Sequence, residues 1–255
     1  MRTIKLAVRY DGTSYYGFQK QNNVVTLQGV FEKGLRKIYD SDIKIKYAGR
    51  TDKGVHAKFQ VISYLDNGKI PITKLYKMLS KHMANAFQIV SVEEVDDDFD
   101  PRRHAEYREY EYLLYDGDQN IFLDRYMLYA QNINISAISK SIKQLIGRRD
   151  CTPICHNPKQ YQNTIIDIFN AEIKADSFKV FNIEGNVYKF TIVASSFLQH
   201  MVRKIVGLVL EISQNKLTID EFCKIIDGKM SYSWPMAPAK ALFLSNIVYN
   251  IGERK

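Results

Sequence analysis

The chain has 255 residues, which is enough for one large domain or two smaller ones with a buried core. It carries 36 Lys and Arg against 28 Asp and Glu, and the resulting +8 favours a polyanionic partner such as nucleic acid. Three cysteines without disulfide-framework spacing, no signal-peptide pattern and no apolar run of ~18 residues weigh against a secreted or membrane protein. We therefore expect a soluble, cytoplasmic protein, although the same lysines could also serve only as solvated surface charge.

The first hundred residues predict the order strand, helix, strand, strand, helix, strand. Apolar residues alternate in "MRTIKLAVRYDG", as expected of a strand, and Thr26 is placed to cap a helix with one apolar stripe. Residues 43–47, "QVISYL" and "FQIVSVEEV" predict three further strands. Thr73 is expected to open a second helix, whose apolar face includes His82.

The remaining residues predict a second set of strands and helices. "YREYEYLLYD" alternates as a strand, and the isoleucine-rich helix after it is expected to end at Gly147. "FNAEIKA" and "VYKFTIVA" are typical of strands, and "SFLQHMVRKIVGLVLEIS" is typical of one long helix. Thr218 with Glu221 forms the capping-box pattern of a last helix.

These elements together predict an α+β fold. A boundary is expected near Asp100-Pro101, because proline interrupts strand pairing and the chain turns basic after it. We predict two related α/β halves, residues 1–101 and 102–255, that share a central, mainly antiparallel sheet flanked by helices. A cleft between the halves is the expected binding site.

The stretch "YAGRTDKGVHA" is the first candidate for chemistry. It places one carboxylate, Asp52, between Arg50 and Lys53, and the nearby positive charge favours the ionised carboxylate. Gly49 and Gly54 allow the loop to approach a ligand closely. Taken alone, the pattern also fits a turn with a surface ion pair.

Six segments of the chain, in order, resemble the tRNA pseudouridine synthase A family, whose members commonly have alanine where Lys53 stands. They are "YDGTSYYGFQKQ", "TLQGVFE", "AGRTDKGVHA", "REYEYLLY", "FLQHMVRKIVG" and "APAKALFL". The resemblance implies an isomerase, active without a cofactor, that converts uridine in structured RNA to pseudouridine by rejoining the uracil to ribose through C5. It also implies a homodimer, with positions 38 to 40 of the tRNA anticodon arm as the leading target.

The resemblance assigns three catalytic residues. Asp52 matches the essential aspartate of the family, and the resemblance leaves open whether it attacks the sugar, attacks the base or removes a ribose proton. Arg203 lies in an apolar run and is expected to need a carboxylate partner, with Asp52 as the candidate, unless it only extends to solvent from a helix edge. Tyr110 matches the active-site tyrosine and is expected to stack on uracil and help move the C5 proton. Tyr112, two residues on, is expected to pack in the sheet.

RNA contacts are expected from several cations. A base inside a stem must leave the stack before it can react, and Arg50 is the candidate to fill the gap and bind phosphate. Its alternative role is a loop ion pair. Weaker candidates for contact with the RNA backbone, each of which could equally be a solvated charge, are Arg9, Lys20, Arg102 and Arg103.

The histidines and cysteines carry no predicted chemistry. His56 and His200 lie close in sequence to the catalytic candidates Asp52 and Arg203 and are expected to have supporting roles. Cys151, Cys155 and His156 lack a fourth ligand at zinc spacing, so we expect no metal site.

The chain departs from the family near the expected RNA surface. The departing residues are Ser80, Met83, Ala84, Ala86, Phe87, Asp100, Asn163 and Ala241. They leave the three catalytic candidates unchanged but put the RNA target in question. One alternative is therefore a diverged paralogue that modifies 23S ribosomal RNA, and a second is a non-catalytic RNA-binding protein on the same scaffold. A retained carboxylate argues against the second alternative, because it would repel phosphate.

Overall fold

A computed structural model describes residues 1–180 and 183–249. The chain divides into two compact units, one formed by Met1–Glu106 with the C-terminal segment from Phe243, the other by Tyr107–Leu242. Both units combine helices with mostly antiparallel strands. The predicted mixture of helices and antiparallel strands is thereby confirmed.

The first unit contains six elements in the predicted order, followed by the C-terminal strand. They are β1 (Arg2–Tyr10), α1 (Leu27–Tyr39), β2 (Lys46–Tyr47), β3 (His56–Asp66), α2 (Ile72–Met83), β4 (Gln88–Val95) and β10 (Leu242–Tyr249). Strand β1 pairs antiparallel with β3 and β4, β2 pairs antiparallel with β3, and β10 pairs parallel with β3. The signature loop around Asp52 therefore leads directly into the central strand β3.

The helices of this unit follow the predicted periodicity with two corrections. The Thr26 hydroxyl accepts the Gly29 N–H at 3.3 Å and caps α1, as predicted. Helix α2, however, begins at Ile72 after Pro71 and has no side-chain cap, so the prediction that Thr73 opens it is wrong. His82 is exposed, because the buried stripe of α2 consists of Leu75, Leu79 and Met83.

The second unit is built from long strands and the helices packed on them. Its elements are β5 (Ala105–Gly117), β6 (Leu128–Tyr129), α3 (Ile135–Ile142), β7 (Gly147–Asp150), β8 (Ile165–Val180), β9 (Ile183–Ala194), α4 (Met201–Ser213) and α5 (Ile219–Ile226). Strand β5 pairs antiparallel with β9, β9 with β8 and β8 with β7. Helix α4 is the core helix, because ten of its 13 residues are buried.

Two predicted helix boundaries in this unit are wrong. Helix α4 begins at Met201, not near residue 196, because His200 has a φ of +61° and its left-handed backbone cannot continue a helix. Helix α3 ends at Ile142 and passes through a 3₁₀ turn, so Gly147 begins β7 instead of ending the helix. The capping box of Thr218 is confirmed, with Glu221 Oε2 accepting the Thr218 N–H at 2.8 Å.

Three strands were not predicted, and one is shorter than predicted. The missed strands are β6, β7 and β10, and the strand predicted over residues 43–47 is limited to Lys46–Tyr47. Two-residue strands contain too little alternation to be recognised in a sequence. Among the described residues, no helix combines the length and apolarity that a membrane span requires.

Candidate active site

Thr51, the residue before Asp52, joins two loops of the first unit. Its hydroxyl lies 2.8 Å from the Tyr10 hydroxyl, and its carbonyl oxygen accepts the Phe18 N–H at 3.0 Å. Thr51 is only 3% exposed, so both bonds are shielded from water. Burial raises the pKa of Tyr10, which keeps its hydroxyl protonated at neutral pH. The loop after β1 and the signature loop are therefore fixed to each other.

Two glycines let the backbones of these loops meet. A Cβ on Gly12 would lie 2.0 Å from the Val55 carbonyl oxygen, a distance that no side chain can adopt. Gly17 has a φ of +85°, and its Cβ would lie 2.9 Å from the Thr51 carbonyl oxygen. The segment "YDGTSYYGFQKQ" thus packs backbone to backbone on the residues around Asp52, and both glycines are required by space.

Asp52 begins a tight turn. Its carbonyl oxygen accepts the Val55 N–H at 3.1 Å, and Gly54 has a φ of +78°, as the third position of a type II turn requires. Asp52 is half-buried, between buried Thr51 and exposed Lys53. The Asp52 carboxylate is therefore carried by an ordered turn.

Gln60 and His56 fix the two ends of the signature loop. The fully buried Gln60 side chain bonds both polar groups of the Gly49 backbone, with its Nε2 2.6 Å from the Gly49 oxygen. The Nδ1 atom of buried His56 accepts the Gly12 N–H at 3.1 Å, and its ring stacks on Phe243 at 4.7 Å. These contacts agree with a supporting role for His56. Sequence reasoning missed Gln60, although a polar residue inside an apolar strand was the available signal.

Arg203 in the second unit is held by the segment that precedes β10. Its Nε donates to the Ala237 carbonyl oxygen at 2.8 Å, and its own carbonyl oxygen accepts the Ala237 N–H at 3.1 Å. The residue lies in the first turn of α4, where the helix dipole disfavours a cation. The bond through Nε orients the guanidinium, so the residue does not simply extend into solvent.

Tyr110 and Tyr112 lie on the same face of β5 in different surroundings. Tyr110 is 7% exposed, and its ring packs edge to face on Phe197 with centroids 4.8 Å apart. Tyr112 is fully buried, and its hydroxyl donates to the Pro238 carbonyl oxygen at 2.9 Å. Burial raises the pKa of Tyr112, and the positive charge of Arg203 opposes this shift. The predicted packing role of Tyr112 is confirmed.

Comparison with known proteins identifies the family. A family model described as tRNA pseudouridine synthase matches residues 6–102 and 141–250. The tRNA pseudouridine synthase A of Borrelia duttonii (strain Ly) is 35% identical over 252 residues, covering 98% of this chain and 100% of its own. The proteins of the same name from Thermodesulfovibrio yellowstonii and Phytoplasma mali are 34% and 36% identical, over 98% and 96% of this chain and 100% and 98% of theirs. The chain belongs to the tRNA pseudouridine synthase family.

In this synthase, Asp100 organises two of the candidate RNA-binding arginines. Its Oδ1 accepts the N–H groups of Arg102 and Arg103 at 3.0 and 3.1 Å, and its Oδ2 lies 3.3 Å from Lys46 Nζ. Burial works to raise the pKa of Asp100, but these N–H donors and the ammonium of Lys46 outweigh it and lower the pKa. Asp100 thus builds the turn that carries Arg102 and Arg103.

Arg50 and Arg102 influence the same tyrosine. Burial raises the pKa of Tyr47, and the positive charges of Arg50 and Arg102 act against that shift. Both arginines are exposed. Within residues 1–180 and 183–249, Arg50 takes part in no ion pair, which counts against the alternative that it stabilises its own loop.

The other two candidate cations of the first unit have protein partners. Arg9 Nε donates to the Lys58 carbonyl oxygen at 3.1 Å, and Lys20 Nζ lies 3.0 Å from Glu32 Oε2. The Lys20 side chain is 65% exposed, so this ion pair is solvated and contributes little to stability.

The cysteines of the second unit are packing residues. Cys151 and Cys155 are buried free thiols, and burial raises the pKa of Cys151 to about 12. A protonated thiol is a poor metal ligand and a poor nucleophile. In the described part of the chain, no group of three or more His, Cys, Asp or Glu side chains is arranged to hold a metal ion.

A substitution at Gly207, one turn after Arg203, tests how tightly α4 packs against the segment that contains Pro235 and Ala237. A Cβ on Gly207 would lie 2.1 Å from the Pro235 carbonyl oxygen and 3.1 Å from Trp234 Cδ1, so Gly207→Ala must displace the segment that holds Arg203. We expect a loss of about 1–3 kcal/mol in the free energy of unfolding, measured with urea, despite the better helix propensity of alanine. The control is Gly29→Ala, whose Cβ would meet only the Thr26 hydroxyl at 3.2 Å. Equal stability of the two variants would contradict the close approach.

Proposed function

We propose that this protein isomerises uridine to pseudouridine in tRNA. Membership of the family and the names of its relatives, which are tRNA pseudouridine synthases A over nearly the full chain, support the proposal. The observation that carries it is the ordered turn that presents Asp52 between loops packed backbone to backbone. A surface ion pair would not need such a support.

The proposed reaction is balanced without a cofactor. The bond between C1′ of ribose and N1 of uracil breaks, the base turns, and a new bond forms between C1′ and C5. C5 then loses its proton and N1 gains one, so nothing is oxidised or reduced. Asp52 can act by attack on the sugar, by attack on the base or by removal of a ribose proton, and each route requires an ionised carboxylate.

We propose that Arg203 supplies the positive partner of Asp52. Its position in the first turn of α4 is unfavourable for a cation on its own, which supports a carboxylate as its counter-charge. The bond from Nε to the Ala237 oxygen holds the guanidinium in one orientation, and such orientation favours a directional ion pair. This partner would keep Asp52 ionised beside a polyanionic substrate.

Tyr110 is proposed to stack on the uracil and to help remove the C5 proton. Its burial and its edge-to-face contact with Phe197 fix the ring in place, which suits a stacking surface. We place the RNA in a cleft between the halves 1–101, which carries Asp52, and 102–255, which carries Tyr110 and Arg203. The two halves are proposed to share a central sheet.

RNA binding is proposed to involve extrusion of the target base. Arg50 is exposed, lies two residues before Asp52 and takes part in no ion pair within the described residues, so its planar guanidinium suits the space that the base leaves. Arg102 and Arg103 are proposed to contact the RNA backbone, with smaller parts for Arg9 and Lys20. We further propose a cytoplasmic homodimer, which light scattering can test against the 29.6 kDa of one chain.

The carboxylate variant Asp52→Asn tests the chemistry. We expect release of tritium from a tRNA transcript labelled at C5 of uridine to fall by at least about 100-fold, because the base or nucleophile is lost. The tRNA dissociation constant should stay within about threefold, since the substitution keeps the side chain's shape. Asp42→Asn is the control, because Asp42 is an 83% exposed carboxylate of the same unit. Full turnover by Asp52→Asn would exclude the proposed role.

The RNA target is tested in cells. We expect deletion of the gene to remove pseudouridine from positions 38 to 40 of tRNA and from no site in 23S ribosomal RNA. Re-expression of the unmodified protein should restore these sites, and Asp52→Asn should not. If the loss were confined to ribosomal RNA, the tRNA assignment would be wrong and the paralogue interpretation would replace it.

A further inference from the structure

Lys53 is a second candidate cation beside the proposed catalytic carboxylate. It follows Asp52 directly and is exposed, and its Nζ lies 3.9 Å from the centroid of the Tyr16 ring. In the part of the chain that the structure describes, it forms no ion pair with a carboxylate. Its charge is therefore held by an aromatic face and is not neutralised.

The backbone of Tyr16, whose ring lies under this ammonium group, is held by hydrogen bonds. Its N–H donates to the Val25 carbonyl oxygen at 2.9 Å, and its carbonyl oxygen accepts the Gln21 side chain at 3.0 Å. The next residue, Gly17, packs against the Thr51 carbonyl oxygen. The ring belongs to the loop that is fastened to the Asp52 turn, so the positions of Lys53 and Asp52 are coupled.

The chemistry of the pair indicates the ligand. A cation over an exposed aromatic ring is attracted to the ring face, which limits the freedom of the lysine side chain. The ammonium has three N–H donors, and Lys53 is exposed to solvent. A negatively charged oxygen that approaches from that side gains a hydrogen bond and a charge interaction without displacing a carboxylate.

We propose that Lys53 and Tyr16 form a binding site for one backbone phosphate of the RNA, next to the nucleotide that reaches Asp52. Contacts to phosphate set the register of a nucleic acid on a protein, so this site would help to select which uridine is presented. The inference rests on the proposed function, because it takes RNA as the substrate.

The salt dependence of RNA binding tests the site. For Lys53→Ala we expect the dissociation constant of a tRNA transcript to rise about three- to tenfold at low salt. The slope of log affinity against log salt concentration should become shallower by about 0.7–0.9, the value for one lost phosphate contact. Lys77→Ala is the matched control, since Lys77 is an exposed lysine of the same unit on α2, and it should change affinity less than about twofold.

Tyr16→Leu tests the aromatic support. Without the ring the ammonium is no longer held in place, so we expect affinity for the transcript to fall. Lys53→Ala should then add little to the loss in the double variant. Additive effects of the two substitutions would contradict a joint site.

Three further results would separate this inference from the proposed function. An unchanged salt slope for Lys53→Ala, or a slower reaction at saturating RNA with unchanged binding, would overturn the phosphate site alone. Failure of the unmodified protein to release tritium from labelled tRNA would overturn the proposed function.

Discussion

The contact between Thr51 and Tyr10 is the constraint on which the arrangement around Asp52 depends. Two buried hydroxyls satisfy each other at 2.8 Å, and removal of one would leave the other without this partner in a dry environment. Such a loss costs about 1–3 kcal/mol. The carbonyl oxygen of Thr51 also accepts the Phe18 N–H. One threonine therefore connects the end of β1, the loop after it and the signature loop. The backbone that carries the Asp52 carboxylate is therefore held in place through its neighbour Thr51.

In the second unit, too, contacts with neighbouring backbone position a charged side chain. The guanidinium of Arg203 is oriented by the carbonyl oxygen of Ala237, and Gly207 allows the adjoining segment to cross α4 closely enough to reach it. In both units a charged side chain is positioned by contact between backbone segments, with a glycine at the point of closest approach. Backbone contacts of this kind tolerate little displacement, so the backbone at both side chains has a defined position.

The sequence predicted much of the fold where periodicity carries the information. Helix α1 has a single buried stripe, and strands β1 and β3 are apolar runs that are buried over most of their length, so hydrophobic burial identifies all three. The start of α4 was missed, because the left-handed conformation of His200 leaves no mark in the apolar pattern of the segment. Short strands such as β6 were missed because two residues show no period.

The candidate site was also predictable from the sequence only in part. Its residue types were recognised from a resemblance, since the pattern around Asp52 alone fits an ordinary turn. The bonds that support it join residues distant in sequence: Tyr10 is 41 positions from Thr51, and Arg203 is 34 positions from Ala237. No local pattern encodes such pairings. The role of Asp100 was also unforeseen, because a carboxylate that caps a turn is indistinguishable in sequence from a solvated charge.

The central claim is that the support of Thr51 makes Asp52 reactive. The most direct test is the single-turnover rate of tritium release by Thr51→Val and by Tyr10→Phe, which remove the same bond from opposite sides. We predict that both variants react about 10- to 100-fold more slowly than the unmodified protein, because the carboxylate is misplaced. Their tRNA dissociation constants should stay within about twofold. Unchanged rates in two folded variants would contradict the account.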